Sequence, residues 1–117
     1  MINWQSMTDE AVMAIANPIM DNLMQASTDI DHEAHVRDFS DRLKSIVTKE
    51  NLEQQCREYQ ADIGLIGDRE LVGIFRRKGD VRIFWKQWYS KTDDDFIAFL
   101  HLKEIKGEIK VVNVHTS

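Results

Sequence analysis

Between about residues 8 and 63, apolar residues recur every three or four positions, the spacing of one face of an amphipathic helix. This pattern predicts three helices. Their apolar stripes are Val12, Ile15, Ile19 and Leu23 in the first, Val36, Phe39, Leu43 and Ile46 in the second, and Leu52, Cys56, Tyr59 and Ile63 in the third. Thr8 and Thr48 stand where the N-caps of the first and third helices are expected.

Asn17-Pro18 interrupts the first stripe and allows two interpretations. Asn is a good helix cap and Pro is favoured in a first turn, so one short helix could end here and another begin. Alternatively, a single helix continues with a kink at Pro18. The apolar stripe runs on through the interruption, which favours the single helix.

From about residue 70 to residue 115 the pattern changes to runs rich in β-branched and aromatic residues, which predict strands. The runs are Glu70–Lys78, Asp80–Tyr89, Asp95–Lys103 and Glu108–His115. Gly79, Ser90–Asp94 and Glu104–Gly107 separate them and are suitable hairpin connections. The sequence therefore predicts one α+β domain over residues 1–117, with three N-terminal helices packed on a curved, four-stranded antiparallel meander.

Large side chains occupy both faces of the second strand. One face carries Val81, Ile83, Trp85, Gln87 and Tyr89, and the other carries Arg82, Phe84, Lys86 and Trp88. Helices can fully cover only one face of this sheet. We therefore expect the face with Phe84 and Trp88 to meet a second copy of the chain, as the interface of a homodimer.

Length, charge and cysteine content narrow the class of protein. The 117 residues, 43% of them apolar, suffice for one core, and the lone cysteine excludes an intrachain disulfide. The net charge of −5 is uneven, with −7 on residues 1–63 and +2 on residues 64–117. The basic patch formed by Arg76–Lys78, Arg82 and Lys86 fits charges that blunt a sheet edge, so we expect no nucleic-acid partner.

The hydropathy pattern contains no membrane segment. No apolar run approaches the ~20 residues that a membrane span requires. The first Lys or Arg is Arg37, so no basic segment precedes an apolar stretch as in a signal peptide. We therefore expect no membrane partner and a cytoplasmic location.

No metal or cofactor motif is complete. In His32-Glu33-Ala34-His35 the histidines are three residues apart, whereas the zinc-protease helix motif needs a separation of four. We interpret them as a surface pair in a first turn. Asp93–Asp95 lack the remaining spacing of a calcium loop, and Cys56 fits a small buried apolar residue. We therefore expect no bound metal and no cofactor.

His101 and His115 fall in the third and fourth strands and are the candidate catalytic residues. A histidine with a tuned pKa beside a substrate is the usual acid–base catalyst. If both face inward, they join Tyr59, Trp85, Gln87 and Asn113 around a cavity. The alternative is that they point to solvent or satisfy a hydrogen bond in the core.

Three helices followed by a four-stranded meander resemble the cystatin-like cone of the nuclear transport factor 2-like superfamily. The local sequence is similar to a small branch of uncharacterised bacterial domains, in NPIMDNLMQA, VRDFSDRLKSIVTKENLEQQ, the IG at Ile63-Gly64 and GEIKVVNV. The resemblance covers about Thr8 to His115. It implies a curved sheet wrapped around the helices, a pocket at the open end and frequent dimerisation through the sheet. Enzymes of this superfamily place Asp, His or Tyr inside the cone, but their catalytic residues have no one-to-one match in this sequence.

The leading interpretation is a non-enzymatic, homodimeric cone domain that binds a small apolar or amphipathic ligand. The expected ligand-binding residues are Tyr59, Trp85, Gln87, Tyr89, Asn113 and His115, with Ile15, Ile19, Phe39 and Leu100 as further apolar lining. One alternative is a lyase or isomerase with His101 or His115 as general base. Another is a protein-interaction module that uses the exposed sheet face.

Overall fold

The computed structural model describes residues 1–117 and consists of helices followed by strands. After a 3-10 helix, Trp4–Ser6, the elements are α1 (Asp9–Asp29), α2 (His32–His35), α3 (Asp41–Ile46), α4 (Lys49–Asp62), β1 (Ile66–Arg76), β2 (Asp80–Tyr89), β3 (Phe96–Ile105) and β4 (Glu108–Thr116). The strands form one antiparallel sheet in the order β1-β2-β3-β4. The predicted α+β class is confirmed.

α1 runs through Pro18 as one continuous helix, in agreement with the favoured interpretation of Asn17-Pro18. Its N-cap is Thr8, whose Oγ1 accepts a hydrogen bond from the amide of Ala11 at 3.1 Å. Thr48 caps α4 in the same way, accepting from the amide of Asn51 at 3.2 Å. No helix, α1 included, is long and apolar enough to cross a bilayer.

The second helix was predicted as one continuous helix, and this is wrong. The structure divides the segment into α2 and α3. Between them Phe39 forms a parallel bridge with Val111 of β4. The amide of Ser40 donates to the Val111 carbonyl at 2.9 Å, and the amide of Val111 donates to the Asp38 carbonyl at 2.7 Å. Pairing with a distant strand has therefore overridden the helical pattern around Phe39.

β2 has one covered face and one open face, as its pattern predicted. Val81, Ile83, Trp85, Gln87 and Tyr89, which share one predicted face, are buried, and the alternate residues are partly exposed. The register continues these faces into β3, since Ile83 pairs with Leu100 and Phe84 with Phe99. We call the side against the helices the inner face and the opposite side the outer face.

One apolar cluster fills the space between the helices and most of the inner face. Several residues expected to line a cavity belong to this packing instead. Phe39, Trp85 and Leu100 lie within the cluster, and Ile15 and Ile19 are partly buried against it. Their assignment as cavity lining is corrected, because their own packing closes that part of the cone.

Candidate functional site

A cleft of about 460 Å³ opens between the C-terminal half of α1, α4 and the end of the inner face where β2 finishes. We call it the inner cleft. It is lined by Met24, Ser27, His35, Val47, Leu52, Gln55, Cys56, Tyr59, Ile63, Ile66, Tyr89, Phe96 and residues 114–117. Its volume falls within the range of small-molecule sites in proteins, roughly 300–1,000 Å³.

Gly64 makes the turn that sets α4 beside the sheet. Its φ of +93° is accessible to glycine at little cost, and a β-carbon there would lie 2.2 Å from the Ser90 hydroxyl oxygen. That hydroxyl instead accepts a hydrogen bond from the amide of Leu65 at 2.8 Å. The start of β1 is thereby fixed against the end of β2, which places Tyr59 and Tyr89 on facing walls of the inner cleft.

The two tyrosines carry the polar groups of these walls. The Tyr59 hydroxyl lies 2.8 Å from the Ser27 hydroxyl, which is itself 3.4 Å from Sγ of Cys56. The Tyr89 hydroxyl accepts a hydrogen bond from Nε2 of Gln87 at 3.1 Å. The two rings meet edge to face, with centroids 5.7 Å apart. Each hydroxyl is therefore held by a buried partner, while the rings supply apolar surface.

Two buried polar atoms at this end of the fold lack a hydrogen-bond partner. They are Nδ1 of His35, a residue only 9% exposed, and Oε1 of the fully buried Gln87. Buried polar atoms in native proteins are nearly always hydrogen-bonded, and leaving one unpaired costs about 1–3 kcal/mol.

The ionisable side chains of the inner cleft are two histidines, two tyrosines and one cysteine. Burial, assisted by repulsion from His32, lowers the pKa of His35 from 6.5 to about 4. Burial raises the pKa of the Tyr89 hydroxyl, although hydrogen bonds from Gln87 and Thr116 oppose the shift. The lining includes no Asp, Glu, Lys or Arg side chain. The walls are therefore polar in places and carry no carboxylate, ammonium or guanidinium side chain.

The predicted ligand-binding residues are divided among the inner cleft, the core and the outer face. Tyr59 and Tyr89 line the cleft, and Gln87 lies behind Tyr89. Trp85 is 2% exposed and belongs to the core. Asn113 is exposed and pairs with outer-face His101, so its assignment to the cavity is wrong.

His101 and His115 do not share the inner face with Tyr59 and Gln87. His101 pairs with Arg82 on the outer face, and its Nε2 lies 2.8 Å from Oδ2 of Asp80. His115 is exposed and pairs with Phe99, although its segment of β4 forms the rim of the inner cleft. The expected inward orientation is therefore wrong for His101, whereas His115 is among the residues that line the inner cleft, at its rim.

A bulge in β4 explains the positions of Asn113 and His115. Consecutive residues of β3, His101 and Leu102, pair with Asn113 and Val111, so Val112 is an extra residue in the ladder. An extra residue reverses the face of every side chain that follows it. Strict alternation from the buried Val111 would have turned Asn113 and His115 inward.

The prediction missed His35, which was interpreted as a surface residue. The signal was its position one helical turn before Phe39 on the apolar stripe, and the two rings pack edge to face at 5.3 Å. His32, the other member of the pair, places Nε2 2.8 Å from the Val47 carbonyl oxygen. No group of three or more His, Cys, Asp or Glu side chains is placed to hold a metal ion.

The outer face carries an apolar groove of about 300 Å³ between β1, β2 and β3. Phe84 lies at its centre, with ring centroids 5.5 Å from Phe75 and 4.9 Å from Phe99. Its most exposed members are Val72 at 67%, Phe75 at 57% and Ile97 at 56%. Trp88, the other predicted interface residue, lies beyond this groove and donates from Nε1 to Asp95 at 2.8 Å.

Charged groups border the groove at the hairpin between β1 and β2. Asp80 accepts a hydrogen bond from His101 and lies 3.7 Å from a guanidinium nitrogen of Arg82. Partial burial acts to raise the pKa of Asp80. The hydrogen bond and charge of His101, with the charges of Arg82 and Arg77, together outweigh it and lower that pKa below its ordinary value.

Comparison with known proteins identifies relatives of the fold and no family. No family model and no curated protein matches the chain. A DUF4783 family protein from Bacteroides ovatus aligns with a TM-score of 0.48 and 9% identity, covering 81% of this chain and 90% of its own. Bd1075 from Bdellovibrio bacteriovorus aligns with a TM-score of 0.53 and 10% identity, covering 89% of this chain. The match spans 39% of Bd1075, and at 10% identity it indicates a shared fold alone.

Proposed function

We propose that this chain is a non-enzymatic cone domain of the nuclear transport factor 2-like superfamily that binds a small apolar or amphipathic molecule in the inner cleft. The observation that carries the proposal is the cleft itself. It has about 460 Å³ of space, walls that are mainly aromatic and aliphatic, and a few convergent polar groups, of which His35 Nδ1 is buried and unpartnered. This combination is characteristic of small-molecule sites.

The chemistry of the cleft supports binding over catalysis. A general base works best with a pKa near the operating pH, whereas burial lowers the pKa of His35 to about 4. The raised pKa of Tyr89 keeps its hydroxyl protonated. Cys56 is buried beside Ser27, with no imidazole among its hydrogen-bond partners. The lyase or isomerase alternative would need His101 or His115 inside the cleft; His101 lies on the outer face, and His115 reaches only the exposed rim.

A neutral fluorescent probe, N-phenyl-1-naphthylamine, tests the cleft. We expect saturable fluorescence enhancement with the full chain, and a loss of at least about tenfold in affinity, equal to 1.4 kcal/mol, on Gln55→Trp. Gln55 lies in α4 at the cleft and is exposed, so a larger side chain there occupies the space with little effect on the core. The matched control is Gln54→Trp, at the neighbouring exposed position of α4 outside the cleft. Equal affinities for the two variants would place the probe elsewhere and contradict the proposal.

We also propose that the outer face joins two copies of the chain. The exposed groove around Phe84 supplies the apolar centre of such an interface. The charges near the groove are balanced at each end, since Arg82 lies 3.7 Å from Asp80 at one end and Lys86 lies 3.8 Å from Asp95 at the other. A two-fold axis would set the exposed apolar patch of one copy against the same patch of the other, so that each covers the other, and a second copy is therefore the proposed partner.

The substitution Phe75→Lys tests this interface, because it places a charge at the exposed apolar centre. Sedimentation of the full chain should show a dimer that becomes a monomer in the variant. Leu65→Lys is the control, at an exposed apolar position outside the groove. A monomeric parent chain, or a dimer that withstands Phe75→Lys, would contradict the interface; the monomer would favour a different protein as the occupant of this face.

A further inference from the structure

The polar side chains of the inner cleft include no carboxylate, ammonium or guanidinium group, and this limits what the cleft can bind. The walls offer hydroxyls from Ser27, Tyr59 and Tyr89, an amide from Gln55 and a neutral imidazole from His35, and the exposed His115 lies at the rim. Transfer of an ionised carboxylate from water to the walls forfeits its hydration, and no Lys or Arg of the lining compensates. An ammonium group likewise meets no anionic side chain.

His35 is the lining residue with unused hydrogen-bonding capacity. Its ring is held by the edge-to-face contact with Phe39, so the imidazole is pre-positioned at the cleft wall. A neutral imidazole has one donor nitrogen and one acceptor nitrogen, and the buried Nδ1 is bonded to nothing in the chain. A hydroxyl, carbonyl or amide of a ligand can pair with the imidazole in either tautomer.

The apolar walls near Tyr59 and Tyr89 indicate the shape and polarity of the rest of the ligand. The Tyr89 ring contacts Phe96 with centroids 4.9 Å apart, and Met24 and Ile63 complete an apolar wall. Aromatic edges and faces of this kind pack well against a planar ring or a compact aliphatic body. The hydroxyls of the two tyrosines are already bonded to Ser27 and Gln87 and leave His35 as the less satisfied group.

We propose that the ligand of the inner cleft is an uncharged molecule with a ring-sized apolar body and one hydrogen-bonding group, that this group binds His35, and that the cleft rejects the corresponding anion. This inference rests on the proposed small-molecule function and specifies its ligand class.

Two probes, 4-butylbenzamide and 4-butylbenzoate, test whether the cleft selects against an anion. They share the butylphenyl group and differ in charge at neutral pH. We expect calorimetry on the full chain to give at least tenfold tighter binding of the amide, equivalent to 1.4 kcal/mol. Equal affinities would overturn the charge selectivity and leave the cleft as a binding site. Failure of both probes, with naphthylamine still bound, would overturn the ligand class. Failure of all three would overturn the proposed function itself.

His35→Leu tests the position of the hydrogen-bonding group, with 4-butyltoluene as a probe that has no such group. We expect the variant to lose about tenfold in affinity for the amide and to bind the toluene as the parent chain does. A purely structural role for His35 would weaken both probes equally and would overturn the assignment. If His35→Leu does not fold, His35→Phe provides the same comparison, because its ring likewise has no hydrogen-bonding group.

Discussion

The two faces of β2 carry similar aromatic side chains in opposite surroundings. On the inner face Trp85 is enclosed in the core beneath the helices. On the outer face Phe84 is half-buried by neighbours that are themselves exposed. Aromatic content therefore does not distinguish a core face from an interaction face. The deciding factor is which face the helices cover.

The inner face also changes character along its length. Near the hairpin with β1, Val81 and Ile83 pack in the apolar cluster. At the other end Gln87 and Tyr89 occupy the same face, where the inner cleft begins. The core thus gives way to a site within one strand, at the point where apolar side chains are replaced by polar ones.

The largest expected difference between the two faces is in folding stability. Trp85→Ala should lower the free energy of unfolding by about 3–5 kcal/mol, because it empties a large volume in the core. Phe84→Ala should lower the stability of the monomer by about 1–2 kcal/mol, since its ring is only partly buried, and should reduce the dependence of the unfolding midpoint on protein concentration. Urea denaturation at two protein concentrations measures both effects. Equal losses for the two variants would contradict the distinction between a core face and an interaction face.

The second largest effect is expected at acid pH, where protonation of His35 in the wall of the inner cleft lowers the folding stability. His35 titrates at about 4 in the folded chain and near 6.5 when unfolded, so the unfolded state binds more protons in this range. The free energy of unfolding therefore falls by up to about 3 kcal/mol as pH drops through this window, and this residue contributes no further loss below it. His35→Gln should remove this component from a urea-unfolding series measured against pH. The exposed His115→Gln variant is the control; identical slopes for the parent chain and His35→Gln would show that His35 is not buried as described.

The smallest effect is expected from the charges at the border of the outer face. Asp80→Asn should cost about 0.5–1 kcal/mol at neutral pH, because the pairs with His101 and Arg82 are partly solvated. The lowered pKa of Asp80 means that its contribution is present above its unfolded pKa and is lost as pH falls through its folded pKa. Thermal unfolding at low and high salt measures the effect, with the loop variant Asp94→Asn as control. A loss above about 3 kcal/mol would assign Asp80 to a buried network.

Local signals predicted most of the architecture. Thr8 and Thr48 act within one turn of their own helices, and the alternation along β2 depends on its own residues. Phe39 left the helical pattern because its backbone pairs with Val111, which is remote in sequence. Propensity contains no information about such a partner.

The candidate site was only partly predictable for the same reason. The positions of Tyr59 and Tyr89 in the cleft were predicted from the periodicity of their elements. The outward orientation of His101 could also have been predicted, because this residue stands between the buried Leu100 and Leu102. The orientation of Asn113 depends on the bulge, which is a property of two strands together. A single strand read alone does not reveal it.

The extra residue Val112 determines which side chains at the end of β4 face the helices and which face outward. Without it, alternation would carry the imidazole of His115 and the amide of Asn113 to the inner face, towards the inner cleft. No side chain would have to change its identity. A one-codon deletion would therefore turn two further polar side chains inward, and Val112 is an economical point at which evolution or design could alter what the cleft binds.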